Sequence, residues 1–180
     1  MPSVAKEFNL KNGQRAERKL LITVAEWFVG TTAVREILGT RTEDSSIDYN
    51  ADVETTTDIR GINYTDINRT QPQQTLDPYT VLGGSKLGPV LNDIRRRNAV
   101  SEYNQFNVYI ITAYIGTNGA YAAERHSGCT INPTSLGGDS FVNMPIDVYL
   151  SNDWEGSGHA QIGTVDKLGD DFAFSPETVG

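Results

Sequence analysis

From residue 47 onward the chain alternates with almost no interruption. The odd positions are Ile47, Tyr49, Ala51, Val53, Thr55, Thr57 and Ile59, and the even ones Asp48, Asn50, Asp52, Glu54, Thr56 and Asp58. A period of two predicts a β-strand with one packed and one wet face. β-branched residues dominate the apolar set, which suits a pleated surface. Fully extended, the run would span roughly 40 Å at about 3.3 Å per residue, more than an ordinary strand covers. A bend at Asn50-Ala51 is therefore expected, giving a long hairpin that projects beyond the compact domain.

Elsewhere the pattern is again mostly β. Residues 18–29 (RKLLITVAEWFV) form an apolar run too short to settle its own period, so strand and short helix both stay open. Residues 68–88, rich in Pro, Gly, Gln and Thr, predict a long connecting loop. Such loops commonly carry function or become ordered on assembly. Leu87, Val90, Leu91 and Ile94 recur at helical spacing, with Pro89 suited to a first turn, and predict one helix over about 87–98. Arg95, Arg96 and Arg97 then complement the negative end of the helix dipole. FNVYIITAYI, 106–115, is apolar on both faces and predicts a central, fully covered strand. A turn at 116–119 leads to a strand at 120–131. In 141–150, Val142, Met144, Ile146, Val148 and Leu150 share a face, and Pro145 suggests an edge or a bulge. AQIGTV and DFAFS are short closing strands. The expected fold class is mainly β: a β-sandwich or partly open barrel of two packed sheets, with one flanking α-helix and a projecting hairpin. Residues 1–30 are expected to form an N-terminal arm or first strand, and 31–180 a single domain.

Composition narrows the function. The 23 acidic and 15 basic residues leave a net charge of −8, opposed to a role that needs a basic footprint on nucleic acid. No apolar stretch reaches the about 18 residues of a membrane-spanning helix, and none follows the N-terminal charges as a signal peptide requires. The single cysteine, Cys129, cannot form an internal disulfide, which fits folding in a reducing compartment.

Catalytic constellations are sparse. His126 and Cys129 stand three apart, and in a regular strand point to opposite faces. His159 is the only other histidine, fewer ligands than zinc needs. Gly83-Gly84-Ser85-Lys86 before the helix is reminiscent of a phosphate loop but lacks its GxxxxGK[ST] spacing. Trp27 and Trp154 are candidates for a sugar platform, though tryptophans also serve as core and interface residues. The acids form no recognisable catalytic pair. The expectation is no enzyme and no cofactor.

In this order the elements resemble the major tail (tail-tube) proteins of tailed bacteriophages over roughly residues 34–175. The resemblance rests on Gly39 leading through Ser46-Ile47-Asp48-Tyr49-Asn50 into a Thr/Glu-rich strand, Gln71-Pro72 and Asp77-Pro78-Tyr79 in the connection, a short helix, and the strand FNVYIITAYI. Gly137-Gly138-Asp139, IDVYL, Gly163-Thr164-Val165 and Phe172-Ala173-Phe174 close it. Residues 1–30 and the long WEGSGHAQ segment depart from the family pattern. The resemblance implies a structural virion protein, made in the host bacterial cytoplasm and located in the virion tail. Its subunits would form hexameric rings stacked into a tube through which DNA is ejected, with tape-measure, tail-terminator and baseplate or tip proteins as further partners. Gln71, Pro72, Asp77, Pro78 and Tyr79 would then belong to an inter-ring or inter-subunit loop.

A DNA conduit must not bind DNA, because each added cation would be a sticking point. Between Arg41 and Arg60 lie Glu43, Asp44, Asp48, Asp52, Glu54 and Asp58 and no base. Asp48, Asp52, Glu54 and Asp58 are therefore the candidate lumen-lining residues, passing DNA without specific binding; their alternatives are an outer wet face or ion pairs with a neighbouring copy. Other classes remain: a head–tail joining or decoration protein, the tube of a contractile injection system, and a β-sandwich enzyme or carbohydrate-binding module.

Overall fold

The computed structural model describes residues 7–117, 119–152 and 154–177. The expected arm at residues 1–6 and Asn118 of the predicted 116–119 turn lie outside them.

The chain is mainly β, with one α-helix among the described residues. The strands are β1 (Leu21–Val29), β2 (Thr32–Ile37), β3 (Ile47–Asp48), β4 (Asp52–Thr57), β5 (Asn63–Arg69), β6 (Gln73–Leu76), β7 (Phe106–Thr117), β8 (Ala120–Pro133), β9 (Ile146–Tyr149), β10 (Gln161–Val165) and β11 (Phe174–Pro176); the helix α1 is Leu87–Arg97. Nine strands form one antiparallel sheet in the order β2-β1-β7-β8-β9-β6-β3, with β10 on β8 and β11 on β10, while β4 and β5 pair only with each other. The sheets are open and do not close into a barrel.

β8 joins two layers. Its first half pairs with β7 and β10, and its last residues, Thr130 to Pro133, pair with β9. The main core lies between the layers: Ala25, Trp27, Val108 and Ile110 meet Leu76, Ile131, Ile146 and Val148, with Leu87, Leu91 and Ile94 of α1 packed against them. A second, smaller core covers the far face of β1 and β7, where Val24, Tyr109 and Ile111 are roofed by Val165 and Phe172. β7 thus buries both faces, as its apolar pattern predicts.

One open alternative is settled and three expectations need correction. The ambiguous run at 18–29 is strand over Leu21–Val29, preceded by one 3₁₀ turn at Arg18–Leu20. The predicted loop at 68–88 contains β6, which pairs with both β3 and β9. It was hidden because Gln73, Gln74 and Thr75 look like loop residues. Gln74 is buried to 2% exposure nonetheless, and its amide oxygen accepts a hydrogen bond from Thr23 Oγ1 across the core at 2.8 Å. The apolar face at 141–150 is shorter than its pattern: Val142 is exposed, and only Ile146–Tyr149 is strand, with β9 interior between β8 and β6. Pro145 precedes it, so the proline removes no ladder donor from an interior strand. Finally, the alternating segment does not have one packed face.

Candidate functional site

That segment splits into two unrelated pieces. Asn50 takes a left-handed conformation (φ 46°) and breaks the strand. Ahead of it, β3 pairs with β6; beyond it, β4 pairs with β5 instead of folding back on β3. The bend at Asn50 is therefore real, but the hairpin turn lies at 58–62. All of β4 and all of β5 are exposed. The odd positions Val53, Thr55 and Thr57 face the same side as Ile67, Thr65 and Asn63, and no other described residue buries them. The alternation thus records a surface with two different faces rather than one buried within this subunit.

Asp58 builds the turn. Its Oδ1 accepts hydrogen bonds from the backbone N–H of Arg60 (2.8 Å) and of Ile62 (2.9 Å), and Oδ2 lies 3.3 Å from Arg60 Nε. These bonds, led by the one from the Ile62 N–H, hold its carboxyl below the usual aspartate range. Gly61 (φ 78°) supplies the positive φ that the tight reversal requires. Beyond the turn, Ile59 is 105% exposed at the hairpin's end.

The candidate lumen acids therefore separate. Asp58 is committed to the turn. Asp48 is on β3, in the other sheet. Asp52 faces Arg69 at 3.7 Å, an exposed pair of small energetic weight. Glu54 accepts only a long hydrogen bond from Asn68 Nδ2 (3.3 Å) and stands directly opposite Asp66. Like charges directly opposed across a strand pair destabilise it. Asp66 was missed in the sequence because NYTDINR has no apolar–polar alternation to mark it as a strand, and its place opposite Glu54 is set only by pairing.

Of the predicted loop residues, Pro72 and Tyr79 are buried in their own subunit, while Gln71, Asp77 and Pro78 stay at the surface. The Asp77–Pro78 peptide is cis. Burial, with the Glu36 carboxylate nearby, pushes the Tyr79 phenol up to about 12. At the root of the hairpin, a cleft of about 570 Å³ is lined by Tyr49, Thr70, Glu124 and His126, among others.

The catalytic alternatives each meet a structural fact. A bulge across Ser127 and Gly128 (φ 66°), set opposite Phe106 and Val108, turns His126 and Cys129 to the same side, contrary to the regular-strand expectation. The thiol nevertheless donates to the His126 backbone oxygen (3.4 Å), while the ring nitrogens engage the Ser151 carbonyl (2.7 Å) and Glu124 (3.3 Å). Burial pushes the Cys129 thiol up to about 11, far from a nucleophile's range. The glycine loop before α1 offers no free anion cradle, because Glu36 already occupies it. The Glu36 carboxylate accepts from Lys86 N (2.6 Å), Leu87 N (2.6 Å) and Ser85 Oγ (3.0 Å). Trp27 is packed on Phe106 in the main core, and Trp154 stacks under the Arg125 guanidinium, which belongs with Tyr109 to the other face of the sheet. The two tryptophans cannot form one platform. Among the described residues no group of three or more His, Cys, Asp or Glu side chains converges as metal ligands, and no helix is long and apolar enough to cross a membrane.

Beneath Trp154 lies a buried polar cluster that sequence reading missed. Glu26, 2% exposed, pairs with Arg35 at 2.7 Å and lies 3.8 Å from Arg125; Asn107 Nδ2 donates to it at 3.0 Å. Arg35 also lies over the Phe172 ring, 4.2 Å from its centroid, and donates to the Phe172 carbonyl. It thereby ties the C-terminal segment onto the sheet.

Comparison with known protein families and with curated proteins finds no match.

Proposed function

We propose that this chain is a structural subunit that polymerises with its own copies into a hollow tube. On the resemblance to tail-tube proteins, the assembly is a stack of hexameric rings forming a phage tail tube that conducts DNA. The observation that carries the proposal is the β4–β5 hairpin: two strands exposed on both faces, with both outer edges unpaired. A lone two-stranded hairpin is marginal in water, and open strand edges invite pairing with another chain. Sharing this hairpin between copies would give it the cover its own subunit lacks. The acidic face supports a conduit: Asp52, Glu54 and Asp66 would repel phosphate from a wall formed by many copies. Asp58 leaves that set for the turn, and Asp48 contributes only if β3 also approaches the bore.

Electron microscopy of the purified protein tests the proposal. Long hollow cylinders are expected. A monomer that persists at every concentration, or a discrete ring that never stacks, rejects it and favours another virion component. For the conduit role, reversing Glu54 and Asp66 to lysine should leave tubes intact while slowing DNA ejection; undiminished ejection through such tubes removes that role.

A further inference from the structure

The β6–β9 layer carries an exposed surface at each end. The hairpin leads into β6 at Gln73, whereas the 134–145 segment leads into β9 at Ile146, beside Leu76 and so at the opposite end. There Val81, Leu136 and Val142 line one groove and are 50%, 47% and 52% exposed, and Phe141 in the adjoining bend is 75% exposed. Single exposed apolar residues are ordinary, but a group of four is not. The bend is tied down on several sides. Gly137 pairs with Asn143, and the Val81 N–H donates to the Val142 carbonyl (2.9 Å). The Asn143 carboxamide accepts from the Tyr79 N–H (2.6 Å) and donates to Asp77 (3.2 Å). Gly138, at φ 139°, lies so close to the Phe141 carbonyl that no Cβ fits there. An apolar knob already held in one shape loses little entropy on binding.

At the other end, the β4–β5 hairpin has one face without charge. Val53, Thr55 and Thr57 lie directly opposite Ile67, Thr65 and Asn63. The hydroxyls of that face are already paired within it: Thr55 Oγ1 lies 3.2 Å from Thr65 Oγ1, and Thr57 Oγ1 donates to Asn63 Oδ1 at 2.7 Å. Covering the face therefore strands few polar groups. Glu54 and Asp66 stand on the opposite face.

We propose that the Phe141 bend of one copy docks on the Val53–Ile67 face of the hairpin of a second copy. The inference rests on the self-assembly reading above and names the surfaces that meet. It leaves Glu54 and Asp66 free on the other side of the hairpin for the bore, and leaves the charged turn at Asp58 and Arg60 outside the contact. Electrostatics favour this pairing. Copies that each carry a net charge of −8 repel one another, so a contact between them is best made where acids are few. The 134–144 segment has a single charge, Asp139, opposite in sign to Arg69 at the hairpin's root. Arg69 has only Asp52, at 3.7 Å, as a carboxylate partner among the described residues. The area also suffices. Val53 and Ile67 with the four residues of the bend and groove hold on the order of 500 Å² of exposed apolar surface, most of the apolar share of the smallest specific interfaces. Because bend and hairpin lie at opposite ends of one layer, the contact is head-to-tail. It propagates into a ring or filament instead of stopping at a symmetric pair.

The test uses the full chain. Phe141→Asp removes the knob from an exposed position and should raise the concentration needed for assembly about tenfold or more, the loss expected when a phenylalanine is no longer buried between copies. Val53→Ser with Ile67→Ser should do the same from the other side. Phe141→Cys with Ile67→Cys should give disulfide-linked ladders between copies under oxidation, read on a denaturing gel; the buried Cys129 gives the parent none. Cylinders that form at the parental concentration from Phe141→Asp protein, or a cysteine pair that assembles without a ladder, overturn this contact and leave the tube proposal standing. Parent protein that never assembles overturns both.

Discussion

Removing the Glu36 carboxylate offers the cleanest check on how the helix is held. The residue before α1, Lys86, makes no side-chain cap, and the first helical turn contains no acid. Glu36, reaching across from β2, accepts from the Lys86 and Leu87 N–H groups, while Ser85 Oγ accepts from that of Gly88. In Glu36→Ala the Leu87 N–H loses its acceptor on a fully buried residue, and water entering the vacated space replaces the carboxylate only in part. A stranded buried donor costs about 1–3 kcal/mol, and loss of a helix cap typically about 1 kcal/mol. Lys86 N and Ser85 Oγ lie nearer solvent and rehydrate cheaply. The expected loss is about 2–3 kcal/mol, equivalent to a fall in Tm of about 4–12 °C for a domain of this size. Glu36→Gln keeps one acceptor and should lose about half as much. Urea unfolding gives the number. The variant also exposes the anion cradle at the helix N-terminus, so sulfate should stabilise Glu36→Ala more than the parent. A loss under about 0.5 kcal/mol at unchanged urea dependence, with no sulfate effect, would show that the carboxylate does not cap this helix.

Other outcomes follow from the same structure. Glu26→Ala takes the carboxylate from the partly exposed Arg35 guanidinium and from Asn107 and should cost about 2–3 kcal/mol in urea unfolding; a loss below about 1 kcal/mol would mean the cluster is dispensable. At Gly163 an added Cβ would lie 2.4 Å from the Ser175 carbonyl oxygen and 2.7 Å from the Phe174 ring, so Gly163→Ala should detach β11 and speed proteolysis within 166–177. Unchanged cleavage would refute that packing. Because the Asp58 carboxyl is held below its ordinary value of 3.8, the turn's contribution is complete above that pH and is lost as pH falls through the lower folded value. The Arg60 and Ile62 amides should then lose exchange protection, after correction for intrinsic rate, while β7 amides keep theirs. The Cys129 thiol should resist alkylation at pH 8 until the chain is unfolded, and rapid labelling of native protein would contradict its burial.

Strand and helix content were legible where a pattern is enforced by the chain's own core. β7 is apolar on both faces and is covered on both; α1 carries its stripe of Leu87, Leu91 and Ile94 onto the main core. Legibility failed for three physical reasons. Polar residues can be internal when they find each other, and so Gln74 hid β6. A bulge breaks a period, which turned His126 and Cys129 to one side. Alternation does not reveal whether the dry face is met by the same chain, and among the described residues nothing buries the β4–β5 hairpin. The ion cluster around Glu26 was invisible because its members come from β1, β2, β7 and β8, far apart in sequence and adjacent only through pairing.

The roof over the second core has a consequence for synthesis. Phe172 and Val165, which close Val24 and Ile111 from water, are made more than forty residues after β7. A nascent chain paused before them has its central strands already emerged with one side still wet. Maturation of that side is thereby timed to the end of translation, and a chain released early carries a sheet whose apolar side is still open to chaperones.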